Sequence, residues 1–262
     1  MKVQAKILLT ACLLFSVIFV SPLHAADEFP LRSLYPKVPT IDLEDLYQQR
    51  DKVVIFDVRS GYEYETLHVK DAQHLPLNDQ EFVAKLAAMR KEDKRHFVFY
   101  CNGHTCKKSY KATQKAMHGG IKDVYAFDAG IFSWTKAHPD LAVLLGRSPV
   151  DPKALISKKQ LQAHMLKPED FGRRVDDTAI VLDIRDVHQK SAINLFPMQQ
   201  HSVPLDNKKL EVYVKQAKST GKALMIYDAV GKQVRWLQYY LEAERVPKYY
   251  FMEGGSQAFL AY

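Results

Sequence analysis

The second half of this chain repeats its first, and that constrains the fold more than any other feature. Ile180-Val-Leu-Asp-Ile-Arg185 repeats Val54-Ile-Phe-Asp-Val-Arg59 at an offset of 126 (180 against 54). Val203-Pro204-Leu205 follows Leu75-Pro76-Leu77 at 128 (203 against 75), and Met225-Ile-Tyr-Asp228 follows Val98-Phe-Tyr-Cys101 at 127 (225 against 98). Glu253-Gly254-Gly255 follows Asp128-Ala129-Gly130 at 125 (253 against 128). Four landmarks in one order at near-constant spacing imply a duplicated domain. A chain of 262 residues holds two domains of ordinary size, each with its own core.

Within the first copy, short apolar runs alternate with helical patterns. Thr40, with Glu44 and the apolar Ile41, Leu43 and Leu46, predicts a helix start. Val53 to Phe56 predicts a strand ending in Asp57-Val58-Arg59, and Ala72 to Leu77 contains a second short strand. Phe82, Val83, Leu86 and Met89 form a helical stripe; Phe97 to Tyr100 and Val124 to Phe127 read as strands. Helices are expected from Lys107 to the Gly119-Gly120 stop and over Ile131 to Ala137. Strands alternating with helices imply an α/β domain, its mostly parallel sheet flanked by helices on both faces.

The ends of the copies follow from composition. Lys2 and Lys6, the apolar run Ile7 to Val20 and the Pro22–Ala26 segment have the layout of a secretory signal peptide over residues 1–25. Its apolar core is short for a membrane span, so export without a stable membrane anchor is expected, to the periplasm if the source is Gram-negative. Cys12 belongs to that segment. Residues 26–138 form the first domain, and 153–262 the second. Pro139, Gly146, Pro149 and Pro152 mark 139–152 as a linker.

Charge narrows the partners. The chain has 37 Lys and Arg against 30 Asp and Glu, with no basic run longer than a pair. Such a scattered surplus suits small anions and argues against nucleic acid, which calls for a clustered stripe. Beyond the leader only Cys101 and Cys106 remain, so no disulfide framework holds the fold together. His104 between them gives at most three ligands in one loop, so neither a metal nor another cofactor is expected.

Cys101 is the candidate catalytic residue. It ends the Phe97–Tyr100 strand and precedes a helix, where unpaired backbone N–H groups and the helix dipole favour an anion. Lys107 and Lys108 add positive charge, and these conditions make a thiol nucleophilic at neutral pH. Asn102, Gly103, His104, Thr105, Cys106 and Lys107 form the expected anion cradle. Asp57 and Arg59 tie neighbouring loops together, and Lys108 supports them. Asp228 replaces Cys101 in the second copy. A carboxylate cannot repeat the chemistry of a thiol, and Asp228 is expected to be satisfied by the N–H groups of its own loop.

Taken together, Asp57-Val58-Arg59, Glu63-Tyr64, His68, Leu75-Pro76-Leu77, Tyr100-Cys101 and Gly130 before Trp134 resemble the rhodanese (sulfurtransferase) superfamily. The resemblance implies two tandem rhodanese-like domains, an active first copy and an inactive second. It implies that Cys101 takes a sulfane sulfur from a small anionic donor such as thiosulfate, becomes a persulfide, and passes the sulfur to a thiophilic acceptor. In the best-known two-domain relatives the active copy is the C-terminal one, so their substrate preferences do not transfer. The loop departs from the family too: Cys106 stands where short loops carry arginine. Lys107 stands where the longer loops of cell-cycle tyrosine phosphatases and arsenate reductases carry it. Lysine lacks the planar fork that clamps oxyanions, which weakens a phosphatase reading. Two alternatives stay open: a non-catalytic interaction module, and a thiol–disulfide switch between Cys101 and Cys106, which requires their Cα atoms to lie within about 7 Å.

Overall fold

The computed structural model describes residues 28–261 apart from 187, 188 and 190–192, so the leader lies outside the described residues. The first half contains α1 (Leu43–Gln49), β1 (Val53–Asp57), α2 (Gly61–Thr66), β2 (Leu67–Val69), β3 (Gln73–His74), α3 (Phe82–Glu92), β4 (His96–Tyr100), α4 (Lys108–His118), β5 (Val124–Phe127), α5 (Gly130–Ala137) and β6 (Ala142–Leu144). The second contains α6 (Lys158–Ala163), β7 (Met165–Leu166), α7 (Pro168–Arg173), β8 (Ala179–Asp183), β9 (Gln200–Ser202), α8 (Asn207–Thr220), β10 (Ala223–Tyr227), α9 (Val234–Ala243), β11 (Tyr249–Met252) and α10 (Gly255–Leu260).

The duplication holds at the level of register. The first sheet runs β3-β1-β4-β5, and the second β9-β8-β10-β11 with β7 added beyond β11. Val53 faces His96, and its counterpart Ala179 faces Ala223; Phe97 faces Val124, and Leu224 faces Tyr249. These pairings are parallel. Their central strands are apolar almost without interruption because helices cover both faces of each sheet.

Two local expectations are corrected. Thr40 does not start a helix. It bridges to Ala126 in the place β7 takes in the second sheet, and Ile41 N–H donates to the Ala126 carbonyl, so α1 begins at Leu43. The stretch 139–152 is no free linker: β6 pairs antiparallel with β2, and Ala142 and Val150 are buried in the first core. Its prolines give tight turns within packed structure, not a flexible tether.

The halves share apolar packing. Trp236 and Tyr239 of α9 join the first-domain cluster around Trp134, Leu155 and Ile156. Trp236 stacks on Phe132 of α5 with ring centroids 5.5 Å apart, and Ile156 N–H donates to Tyr239 Oη at 3.1 Å. Among the described residues no helix is long and apolar enough to cross a membrane, and no three His, Cys, Asp or Glu side chains cluster as metal ligands.

Candidate active site

The site lies where β4 stops. Tyr100 is buried and its hydroxyl donates to Asp57 Oδ2 at 2.7 Å, which fixes the end of the strand. Cys101 follows with 1% of its surface exposed. Its carbonyl accepts from Ile131 N–H at 3.0 Å, pinning the loop to the start of α5. Gly130 has φ +66°, and a Cβ there would run into the backbone of Cys101, Asn102 and Gly103, so only glycine admits this approach.

The loop folds back on itself. Cys106 N–H donates to the Gly103 carbonyl at 2.7 Å, and Gly103 has φ +145°. That turn returns Cys106 to Cys101, and a disulfide joins them with Cα atoms 6.4 Å apart, inside the span that such a bond requires. Ser109, buried in the first turn of α4, places Oγ 3.6 Å from the Cys101 sulfur.

Beneath the loop lies a buried polar network. Asp57 accepts from Arg59 N at 3.0 Å, Nε at 2.9 Å and Nη2 at 2.5 Å. Arg59 also donates to the Leu67 carbonyl and, through Nη1 at 3.1 Å, to Asn102 Oδ1. Asn102 Nδ2 donates to Glu63 Oε1 at 3.2 Å, and Lys108 Nζ to Glu63 Oε2 at 3.2 Å. Glu63 closes a capping box at the start of α2, accepting from Ser60 N–H at 3.0 Å. Burial opposes its ionisation, yet the charges of Lys108 and Arg59 and the Ser60 hydrogen bonds hold its carboxyl below the ordinary glutamate value.

The predicted cradle residues therefore divide. Asn102 is fully engaged as a tie between Arg59 and Glu63, while Gly103 and Cys106 make the turn. His104 has both ring nitrogens occupied: Nδ1 lies 2.7 Å from the Glu28 carbonyl and Nε2 lies 3.2 Å from Ser133 Oγ. Its ring stacks on Phe29 at 4.5 Å. Thr105 and Lys107 are exposed, and Lys107 makes no ion pair among the described residues. Lys108 is the lysine with a carboxylate partner.

The sequence reading did not assign Glu63, Ser109, Ser133 or the 28–42 lead-in to the site. Ser60-Gly-Tyr-Glu63 carries a legible capping-box signal. No local signal announces that Arg32 reaches Asp128 at 2.8 Å while stacking over Phe29 at 4.1 Å.

The second copy repeats the frame with another occupant. Arg185 pairs with Asp183 through Nε at 2.9 Å and Nη2 at 2.8 Å, and reaches the Ile193 carbonyl as Arg59 reaches that of Leu67. Ser256 N–H donates to the Asp228 carbonyl at 2.8 Å, matching Ile131 on Cys101. The Asp228 carboxylate accepts from the N–H groups of Val230 at 2.9 Å and Val234 at 3.3 Å, and from those of Gly231 and Gln233. The expectation for Asp228 is met, since its own loop satisfies it.

Residues 42–137 match the model of the rhodanese-like domain. The tRNA uridine(34) hydroxylase of Hamiltonella defensa subsp. Acyrthosiphon pisum is 31% identical over 97 residues, 36% of this chain and 26% of that protein. That of Photorhabdus laumondii subsp. laumondii is 32% identical over 82 residues, 30% of this chain and 23% of that protein. The chain thus spans about a quarter of the length of these curated relatives. Among solved structures, thiosulfate sulfurtransferase from Pseudomonas aeruginosa is 21% identical, with a TM-score of 0.38, covering 89% of this chain and 46% of that one. A human single-domain sulfurtransferase is 24% identical, with a TM-score of 0.32, covering 38% of this chain and 96% of that one. The family match in the first half and its register-exact repetition in the second make the fold two rhodanese-like α/β domains.

Proposed function

We propose, proceeding from two rhodanese-like domains of which one carries a cysteine pair, that the protein is a thiol–disulfide centre in which Cys101 and Cys106 alternate between a closed disulfide and an open dithiol. The observation that carries this reading is the bond itself, at a strand end where the superfamily places its sulfur-handling cysteine. Exposure sets the direction of opening. Cys101 is sealed, whereas Cys106 is half-buried, so an incoming thiolate attacks Cys106 Sγ and Cys101 leaves. The departing Cys101 thiolate sits before the 11-residue α4 and beside Ser109 Oγ, both of which favour negative charge. An exported chain, as residues 1–25 suggest, meets surroundings that close such a pair.

A second reading concerns the open form, with Cys101 taking a sulfane sulfur from a small anionic donor and passing it to a thiophilic acceptor. Asp228 favours it, because the corresponding loop of the second copy holds a negative charge at the same strand end on four backbone N–H groups.

The test is a redox titration of the purified protein in dithiol buffers, with free thiols trapped by alkylation and counted by intact mass. Two thiols lost and regained together, and no such transition in Cys101→Ser or Cys106→Ser, is the expected result. A pair that stays reduced in oxidising buffer overturns the switch. Sulfur uptake from thiosulfate, abolished in Cys101→Ser, supports the second reading.

A further inference from the structure

We infer that Cys106 is the resolving nucleophile for a Cys101 persulfide, so that the first domain reductively releases sulfane sulfur as hydrosulfide and closes its own disulfide in doing so. This rests on the two readings above and joins them. Three observations carry it. The Gly103–Cys106 turn brings the Cys106 sulfur to bonding contact with Cys101 Sγ, the atom a resolving thiol must attack. Cys101 and Cys106 share one short loop, so Cys106 is a thiol tethered beside Cys101, whereas any external acceptor must first diffuse in. Two other polar side chains of the loop are already committed: Asn102 is held by Arg59 and Glu63, and both His104 ring nitrogens are occupied.

The steps balance. The Cys101 thiolate attacks the outer sulfur of thiosulfate or an organic thiosulfonate, forming a Cys101 S–S bond and expelling sulfite or a sulfinate. The Cys106 thiol then attacks Cys101 Sγ; the bond between Sγ and the outer sulfur breaks, and its electron pair leaves with that sulfur. The thiol proton goes with it, giving HS⁻. The outer sulfur is reduced by two electrons, and the two cysteine sulfurs are together oxidised by two. No other oxidant enters. Renewed turnover requires an external dithiol, which attacks Cys106 and leaves as its own disulfide. In a sequence of reactions this site stands between a supplier of sulfane sulfur and a dithiol reductant.

The experiment is a single turnover of pre-reduced protein with one equivalent of thiosulfate or benzenethiosulfonate under argon, read by intact mass and hydrosulfide release. Wild type is expected to release one hydrosulfide per chain, lose two hydrogens and keep no added sulfur. Cys106→Ser and Cys106→Ala, checked for folding by circular dichroism, are expected to retain the added sulfur and to release hydrosulfide more slowly by on the order of tenfold or more. Wild type that keeps a stable added sulfur, while diamide still closes its disulfide, overturns this inference and leaves the switch standing. So does an absence of sulfur uptake by wild type and both Cys106 variants alike. If diamide fails to close the disulfide, the switch falls and takes this inference with it.

Discussion

The two halves build the same strand end and finish it in opposite ways. In both, an Asp–Arg pair is buried two residues apart, a tyrosine precedes the critical position, and a glycine at positive φ lets the following loop pack against the strand. The second half then closes its loop with hydrogen bonds, four N–H groups converging on the Asp228 carboxylate. The first closes it with a covalent bond between Cys101 and Cys106. One closure is made of hydrogen bonds to a carboxylate, which has no sulfur to oxidise or reduce; the other is the bond that the proposed switch would open and close. A duplicated frame can thus keep its scaffold while its two strand ends diverge.

The largest expected effect tests what the halves share. Asp57→Ala and Asp183→Ala each leave a sealed guanidinium without its carboxylate, which costs about 3–5 kcal/mol. Urea unfolding followed by tryptophan fluorescence measures the loss. The two should part company at the cysteine loop, because Arg59 also holds Asn102 and lies 5.0 Å beneath Trp236, whereas Arg185 lies under Tyr227 of its own domain. Asp57→Asn is therefore expected to slow disulfide closure several-fold and Asp183→Asn to leave it unchanged. Equal slowing would show that the pair is a shared structural device without a hold on the loop.

A smaller effect tests what they do not share. Asp228→Ala leaves buried N–H groups of Val230, Gly231, Gln233 and Val234 without their acceptor, a loss of about 2–3 kcal/mol after some become solvated. Faster amide exchange should be confined to residues 229–234. Cys101→Ser is expected to cost less stability while removing all disulfide formation. If Asp228→Ala costs nothing, the carboxylate is not what closes the second loop.

Much of this comparison is legible in the sequence, for a physical reason. Buried parallel strands are short apolar runs, and the residues at their ends are set by the need to satisfy the next loop, so Asp57, Cys101 and Gly130 recur as Asp183, Asp228 and Gly255 at matching spacing. What was not legible depends on contacts between distant segments. Thr40 has helix-start chemistry but pairs with Ala126. The proline-rich stretch 139–152 has linker composition, yet Val143 finds His68 as a strand partner. His104 reads as a substrate-facing loop residue until Glu28, Phe29 and Ser133 are seen around it. The spacing of Cys101 and Cys106 permits a disulfide; the turn at Gly103 makes it.

The smallest effect isolates one charge that separates the halves. At the position matching Glu63, the second copy has Gln189, whose Oε1 accepts from Asp186 N–H at 3.4 Å, as Glu63 Oε2 accepts from Ser60 N–H at 3.0 Å. Glu63→Gln therefore turns this corner of the first copy into its counterpart, and is expected to cost about 1–2 kcal/mol at pH 7 by weakening the charged hydrogen bonds to Lys108 and Asn102. The sign with pH follows from the direction of its shift. Its folded value lies below the ordinary 4.5, so the carboxylate stabilises the fold above that pH, and the contribution fades as pH falls through the folded value. The difference between Glu63→Gln and wild type should accordingly be full at pH 7 and shrink steadily below pH 4.5. Urea midpoints taken across that range decide the matter. A penalty that stays constant into acid would mean that the substituted amide fails through shape, and that the charge on Glu63 is not what distinguishes the first loop from the second.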